Sequence, residues 1–218
     1  MNIAANIQTV KATIPKEVTL VAVSKTKSVA EIMQAYDADQ RVFGENKIQE
    51  MAAKWEEMPK DIQWHMIGHV QRNKVKYMAP FVSLIHAVDS FRLLNEINKQ
   101  ALKHNRVIDC LLQIKIAEEE SKFGMNEAEA TALLSSGEIK VLENVKITGL
   151  MGMATFTDNV DQLKEEFSYL RNVHEKLNMQ YPGLQILSMG MSGDYALAIE
   201  HGSSMVRVGS AIFGARNY

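Results

Sequence analysis

Short apolar segments alternate with longer amphipathic segments along almost the whole chain. After an opening helix, eight segments rich in Val, Ile and Leu recur, and each is followed by residues with helical spacing until the chain ends after the eighth. The pattern predicts strands at Thr19–Lys25, Arg41–Asn46, Gln63–Gly68, Val82–Val88, Ile108–Ile116, Val145–Met153, Gln185–Ser192 and Met205–Val208. It predicts the intervening helices at residues 28–38, Lys47–Glu57, Asn73–Met78, from Ser90 onward, at Asn126–Ser135, at Val160–Leu177 and near Tyr195.

This repeated strand-then-helix order predicts a closed (β/α)8 barrel, the TIM barrel. Nearly continuous apolar strands are typical of a parallel sheet whose outer face is covered. An open doubly wound sheet is the alternative, because it shows the same alternation. No linker rich in Pro, Gly or Ser divides the chain, which has only 4 prolines. We therefore expect one domain over residues 1–218.

Composition limits the classes of function. The 24 Lys and Arg residues against 26 Asp and Glu give a net charge of -2, whereas nucleic-acid-binding domains usually have a basic surplus. The single cysteine, Cys110, excludes an internal disulfide and a thiolate zinc cluster, and suits a reducing compartment. The N-terminus lacks the pattern of a signal peptide, and the apolar stretches are too short to cross a bilayer. We expect a cytoplasmic protein that binds neither nucleic acid nor membrane.

Lys25 is the most informative candidate, because active sites of these barrels lie at the C-terminal ends of the strands. Side chains alternate along a strand, so Val21, Val23 and Lys25 share one face. If the valines fill the barrel interior, the ammonium group points into the barrel mouth. Loss of hydration there favours the neutral, nucleophilic amine that forms Schiff bases. The alternative is a lysine that turns outward to solvent.

Two pairs of small residues follow the seventh and eighth strands, Ser192-Gly193 and Gly209-Ser210. Loops at these places often bind phosphate through backbone N–H groups, and serine adds a hydroxyl donor. Alternatively, the small residues only form tight turns. Arg207 shares strand parity with Gly209 and should face the barrel interior, where it needs a partner. That partner is either a nearby carboxylate or a ligand atom.

The remaining histidine, methionine and acidic side chains are weaker candidates for a binding site. His65 and His69 lie where a strand becomes a loop, so the helical i, i+4 metal geometry does not apply, and we expect no metal. Met151 and Met191 are expected to line the pocket mouth. The acidic run Glu118–Glu120 predicts a solvated turn.

Four segments give the chain a resemblance to a known family: VAVSKTKSVAEI, FGENKIQE, WHMIGHVQRNK and SMGMSGDYALAIEHGSSMVRVGSAIFG. From Leu20 to Gly214 the chain resembles the pyridoxal phosphate homeostasis proteins, also known as proline synthetase co-transcribed proteins. This family is similar to the barrel domain of alanine racemase, in the fold-type III group of pyridoxal phosphate proteins. The resemblance therefore implies pyridoxal 5'-phosphate as the cofactor.

The resemblance also implies a role for each candidate residue. The family's Schiff-base lysine falls on Lys25, and the asparagine of its GEN motif, which lies near the cofactor, falls on Asn46. The arginine that faces the pyridine nitrogen falls on Arg207. The phosphate-binding pairs fall on Ser192 and Gly193 and on Gly209 and Ser210. The family's HxIGxxQxNK segment is intact from His65 to Lys74, but no role for it is implied.

These roles imply binding rather than turnover. The guanidinium of Arg207 cannot accept a proton shared with the ring nitrogen, so it weakens the cofactor as an electron sink. In alanine racemase a second base, a tyrosine, is completed by a separate β-domain and a partner subunit, whereas this chain stops at Tyr218. We expect a monomeric carrier or buffer of pyridoxal phosphate that supplies PLP-dependent apoenzymes, with no catalytic residue assigned.

Two alternatives stay open at this point. A small fold-type III amino-acid racemase would need a second acid or base near the cofactor, and Tyr36, Tyr195 and His201 are the places to look. A barrel that binds a phosphorylated metabolite without any cofactor is the other alternative.

Overall fold

Eight parallel strands close into a barrel. The computed structural model describes residues 2–117 and 123–214, and the turn predicted at Glu118–Glu120 lies outside them. The strands are β1 Thr19–Val23, β2 Val42–Glu45, β3 Gln63–Met66, β4 Leu84–Val88, β5 Ile108–Ile114, β6 Val145–Gly152, β7 Ile186–Ser188 and β8 Met205–Val208. Each strand pairs with the next along the chain, and β8 pairs with β1. This last pairing confirms the closed (β/α)8 barrel and excludes the open sheet.

Helices follow the strands and pack on the outer face of the sheet. They are α1 Ile3–Ala12, α2 Val29–Asp37, α3 Ile48–Glu57, α4 Val75–Met78, α5 Phe91–Lys103, α6 Glu127–Ser135, α7 Val160–Gln180, α8 Tyr195–Glu200 and α9 Ser210–Phe213. Capping boxes begin α2 and α6, where Ser28 pairs with Glu31 and Asn126 with Glu129. Across the described ranges, no helix is both long enough and apolar enough to cross a membrane.

Several strands are shorter than the sequence predicts, mainly at their C-terminal ends. β1 ends at Val23 instead of Lys25, and β7 ends at Ser188 instead of Ser192. The first residues beyond these ends still bond to neighbouring strands, since the N–H of Ser24 donates to the carbonyl of Gly44 and that of Arg207 to the carbonyl of Gly190, both at 3.0 Å, and the backbone then turns into loops at the barrel mouth. Gly190 marks the turn after β7, since its φ of 95° lies in the left-handed region that favours glycine. The loops, rather than the strands, therefore present most of the candidate site.

The first and last helices of the described chain contact each other. The sequence pattern predicts no helix after the eighth strand, yet residues 210–213 form α9. The side-chain amide of Asn6 in α1 donates to the carbonyl of Ile212 in α9 at 2.9 Å. Thr13, at the end of α1, lies 2.8 Å by its Oγ1 from the hydroxyl of Tyr195 in α8. Helix α1 therefore contacts both short helices that follow β7 and β8.

The core has two layers, which follow from strand alternation. Strand side chains of one parity pack outward beneath the helices, including Phe43, Trp64, Leu112 and Leu150. Strand side chains of the other parity fill the barrel interior, including Val21, Leu84, Leu111, Met151 and Met205. The interior is thus a packed core that closes the barrel below its mouth.

We predict that Gly149→Ala destabilises the fold by about 1–3 kcal/mol, the range of overpacked cores. A Cβ at Gly149 would lie 1.9 Å from the carbonyl oxygen of Ile186 on β7, so the two strands would have to separate. Gly137→Ala is the control, because a Cβ there meets no atom within 4 Å. Urea unfolding of both variants measures the difference. Equal midpoints would show that the β6–β7 contact tolerates a side chain.

Candidate functional site

The C-terminal ends of the strands open into a cavity of about 450 Å³. Seven of the eight predicted site residues line it: Lys25, Asn46, Ser192, Gly193, Arg207, Gly209 and Ser210. They come from the loops after β1, β2, β7 and β8 and from β8 itself. Met191, which was also expected at the mouth, lines the cavity as well. The closed barrel thus brings together residues that are far apart in sequence.

Met151 is the exception among the predicted site residues. Its side chain is fully buried in the barrel interior with Val21 and Leu84, and it is not among the residues that line the cavity. Met153 lines the cavity instead. Side chains alternate along β6, so residues 151 and 153 share a face, and the residue nearer the strand end reaches the mouth.

Lys25 lies at the cavity wall, two residues beyond the end of β1. Val21 is buried in the barrel interior and Val23 packs against the same cluster, as the alternation predicts. The next residue, Thr26, has a φ of 66°, which is unusual for a β-branched residue. Its backbone N–H donates to Oε1 of Glu50 at 2.6 Å, which holds the chain in this turn.

A buried network, which we call the lysine clamp (Ser24, Glu45, Glu50 and Lys54), fixes the backbone beside Lys25. The Nζ of Lys54 on α3 donates to Oε1 of Glu45 at 2.8 Å, to Oε1 of Glu50 at 2.7 Å and to the carbonyl of Ser24 at 2.9 Å. The hydroxyl of Ser24 donates to Oε1 of Glu45 at 2.6 Å. Glu50 also accepts from the N–H of Thr26. The lysine clamp therefore bonds the backbone on both sides of Lys25, at the carbonyl of Ser24 and at the N–H of Thr26.

The clamp depends on a fully buried carboxyl group. Burial raises the pKa of Glu45, while the charge and hydrogen bond of Lys54 oppose that rise. The Oε2 of Glu45 has no hydrogen-bond partner among the described residues. The sequence analysis did not identify this network, although one signal was available. Glu45 has the opposite strand parity to Asn46, so it had to face the helices rather than the cavity.

The loops after β7 and β8 meet at one side of the cavity. The hydroxyl of Ser192 accepts from the backbone N–H of Gly209 at 3.0 Å and from that of Ala211 at 3.5 Å. In the part of the chain that the structure describes, the backbone N–H groups of Ser192, Gly193 and Ser210 have no acceptor. Such N–H groups beside a cavity can hold an anion.

Arg207 enters the cavity from the barrel interior and is only 4% exposed. Its Nη1 donates to the carbonyl of Ser188 at 2.9 Å and to the hydroxyl of Ser188 at 2.7 Å, and its Nη2 donates to the carbonyl of Gly152 at 2.9 Å. Burial lowers the pKa of Arg207 to about 10, so the guanidinium stays charged at neutral pH. Among the described residues, these bonds use three of its five N–H hydrogens, which leaves two donors for an acceptor in the cavity.

The three residues considered as a second base lie elsewhere. None of them is among the cavity-lining residues. The hydroxyl of Tyr36 donates to Asp61, and the Nδ1 of His201 lies 2.8 Å from the carbonyl of Leu197. Tyr195 points to α1, as described above. The other titratable side chains at the cavity belong to Lys27, Asp158 and Asp194, and burial raises the pKa of the Asp194 carboxyl.

The intact segment His65–Lys74 divides between two places. A Cβ at Gly68 would lie 2.5 Å from the carbonyl oxygen of Asn46, so glycine lets this loop lie against the residue at the cavity. His69 lies 3.5 Å by its Nδ1 from Asp89, while His65 is buried inside the barrel beside His86. Within residues 2–117 and 123–214, no three His, Cys, Asp or Glu side chains cluster closely enough to hold a metal ion.

Comparison with known proteins places the chain among relatives of the same architecture. The sequence family described as alanine racemase, N-terminal domain, matches residues 1–217. The protein of Vibrio alginolyticus named pyridoxal phosphate homeostasis protein is 39% identical over 209 residues, which are 94% of this chain and 89% of that protein. PipY of Synechococcus elongatus PCC7942 with PLP bound has a TM-score of 0.88 at 34% identity, over 97% of this chain and 100% of that chain. Alanine racemase of Clostridium difficile 630 has a TM-score of 0.81 at 13% identity, over all of this chain and 57% of that chain, and shows the likeness of fold alone.

We predict that Lys54→Met destabilises the protein by about 3–5 kcal/mol, because it leaves the Glu45 carboxylate buried without its cation. The double variant Lys54→Met, Glu45→Leu should regain much of this loss, because it removes both charges. Lys99→Met, at an exposed position of α5, is the matched control and should change stability by less than about 0.5 kcal/mol. Urea unfolding gives the three values. If Lys54→Met were as stable as Lys99→Met, the clamp would contribute nothing to the fold.

Proposed function

The chain belongs to the family of the alanine racemase N-terminal domain and, within it, to the pyridoxal phosphate homeostasis proteins, and on this premise we propose that it binds pyridoxal 5'-phosphate in the cavity at the barrel mouth. We propose that it acts in pyridoxal phosphate homeostasis as a carrier or buffer. The observation on which this rests is that one cavity is lined by Lys25, by N–H groups of Ser192, Gly193 and Ser210 that have no acceptor among the described residues, and by Arg207, which uses only three of its five donors there.

The residues at the cavity fit the three chemical parts of this cofactor. The N–H groups and hydroxyls of Ser192, Gly193, Gly209 and Ser210 suit its phosphate group. Arg207 can only donate, so it suits a pyridine nitrogen that carries no proton. When bound, the cofactor would supply an aldehyde group, and the amine of Lys25 would be the residue to hold it covalently, with the aldehyde oxygen lost as water. Asn46 stands on the cavity wall, held against the loop at Gly68.

Binding without efficient turnover is the behaviour that these residues support. Carbanion chemistry is strongest when the ring nitrogen is protonated, and a guanidinium opposite that nitrogen disfavours its protonation. A racemase also needs an acid or base on each face of the α-carbon. Tyr36, Tyr195 and His201 do not reach the cavity. The guanidinium opposite the ring nitrogen, together with the distance of these three candidates from the cavity, therefore supports reversible storage of a reactive aldehyde over an amino-acid racemase.

The wider role extends this proposal. We propose that residues 1–218 act as one domain, that the protein is a cytoplasmic monomer, and that it delivers pyridoxal phosphate to PLP-dependent apoenzymes. The buried thiol of Cys110 suits a reducing compartment. An adduct at a barrel mouth can exchange with solvent without the release of a partner subunit, which is what a supplier of cofactor requires.

We predict that purified protein mixed with pyridoxal phosphate gives a visible absorption band and that borohydride fixes the adduct on the peptide containing Lys25. Lys25→Ala should abolish this adduct but keep weaker binding through the phosphate loops. Lys27→Ala is the matched control, since Lys27 lines the same cavity and should leave the adduct in place. No band, or an adduct fixed on Lys27, would refute the assignment. Incorporation of solvent deuterium at the α-carbon of alanine or serine, lost in Lys25→Ala, would support the racemase instead.

We predict that Arg207→Glu weakens binding of pyridoxal phosphate and changes the spectrum of the bound cofactor. A carboxyl group would face the ring nitrogen and share a proton with it, whereas the arginine donates its own. Arg72→Glu is the control, because it makes the same charge change at an exposed position away from the cavity. It should leave both the affinity for pyridoxal phosphate and the spectrum unchanged. Titration followed by absorbance measures affinity and spectrum together. A folded Arg207→Glu protein with the wild-type spectrum would show that Arg207 does not face the ring nitrogen.

A further inference from the structure

A hydrogen-bonded chain of four side chains crosses the barrel interior beneath the cavity. Arg207 Nη1 lies 2.7 Å from Ser188 Oγ, Ser188 Oγ lies 3.1 Å from His86 Nδ1, and His86 Nε2 lies 3.0 Å from His65 Nδ1. Each of the four residues is less than 5% exposed. The proposed function assigns no role to Ser188, His86 or His65.

The direction of every bond in this chain follows from Arg207, because a guanidinium only donates. Ser188 Oγ accepts from Arg207, so its own hydrogen needs another acceptor. The only neighbour of this hydroxyl besides Arg207 in the described ranges is Nδ1 of His86. His86 therefore carries its hydrogen on Nε2 and donates it to Nδ1 of His65. His65 in turn carries its hydrogen on Nε2.

Burial keeps both imidazoles in this neutral form. Desolvation lowers the pKa of His65 to about 3. Desolvation also lowers the pKa of His86 well below its usual value, and the positive charge of Arg207 adds to this effect. Moving the hydrogen of the neutral His86 ring from Nε2 to Nδ1 would reverse both bonds of this ring and leave the Ser188 hydroxyl hydrogen without an acceptor among the described residues. An unpaired buried donor of this kind is costly, so the direction from Arg207 to His65 is the stable one.

We propose that Ser188, His86 and His65 are positioning residues for Arg207. They fix the orientation of the N–H group that donates a hydrogen bond to the ring nitrogen of pyridoxal phosphate. This inference rests on the proposed function, because it takes the ring nitrogen as the ligand atom at Arg207. On the buried side of the guanidinium, the hydroxyl and the carbonyl of Ser188 accept hydrogen bonds from two of its N–H groups. The carbonyl of Gly152 holds a third donor, and with the guanidinium fixed in this way the other two are held in one orientation at the cavity that Arg207 lines. The site therefore selects a ligand whose aromatic nitrogen is an unprotonated acceptor.

The test compares His86→Leu, which breaks the chain, with His86→Asn, whose Oδ1 can still accept from Ser188. His104→Leu, at an exposed position after α5, is the matched control for loss of a histidine. Binding of pyridoxal phosphate, borohydride fixation on Lys25 and the 15N chemical shift of ring-labelled pyridoxal phosphate are measured for each folded protein. We expect His86→Leu to bind about tenfold more weakly, the size of one charge-assisted hydrogen bond, and to shift the ring 15N signal. His86→Asn should lie close to wild type, and the adduct on Lys25 should persist in all of them.

The outcomes separate this inference from the proposed function. If the wild-type protein forms no adduct on Lys25, the proposed function is refuted, whatever the result for the His86 variants. An adduct in wild type, together with unchanged affinity and ring 15N shift in His86→Leu, would overturn the positioning role. If His86→Leu does not fold, Ser188→Ala removes the same link. The imidazole 15N signals of the unaltered protein give an independent check, since a proton on Nδ1 of His86 would overturn the direction of the chain.

Discussion

The pairing of β8 with β1 is the constraint on which the rest of the structure depends. Closure gives every strand two neighbours and divides the strand side chains into an outer set beneath the helices and an inner set in a narrow interior. It also brings the ends of all strands to one mouth. Lys25 from the beginning of the chain and Arg207 from its end therefore line one cavity, although 182 positions in the printed sequence separate them. An open sheet would leave β1 and β8 far apart.

Two buried cations show how differently the barrel compensates charge on its two sides. Lys54 lies outside the sheet and is paired with the carboxylates of Glu45 and Glu50. Arg207 lies inside the sheet and is bonded to neutral acceptors of Ser188 and Gly152. The first arrangement neutralises its charge and is suited to holding a loop. The second leaves a full positive charge beside the cavity, where it can act on a ligand.

Strand alternation and the strand-end rule predicted much of the fold and site, because both depend on local sequence order. They located Lys25 at the mouth, the paired small residues after β7 and β8, and the inward direction of Arg207. They failed where an exact strand end mattered, since β6 ends at Gly152 and places Met153 rather than Met151 at the cavity. They could not give the link from Ser188 to His86 to His65, because those contacts depend on how three strands face one another across the closed interior.

The contacts of α1 imply an order in which the protein acquires its parts during synthesis. The lysine clamp lies within residues 24–54, so its members leave the ribosome close together. Helix α1 and β1 instead require partners that are synthesised much later, since Asn6 bonds to Ile212 and β1 pairs with β8. Contacts between residues so far apart in sequence form slowly. Until they form, the edges of the unclosed sheet stay exposed. The cavity residues that follow β7 and β8 are therefore synthesised well after the lysine clamp, and the cavity is complete only once β8 has paired with β1.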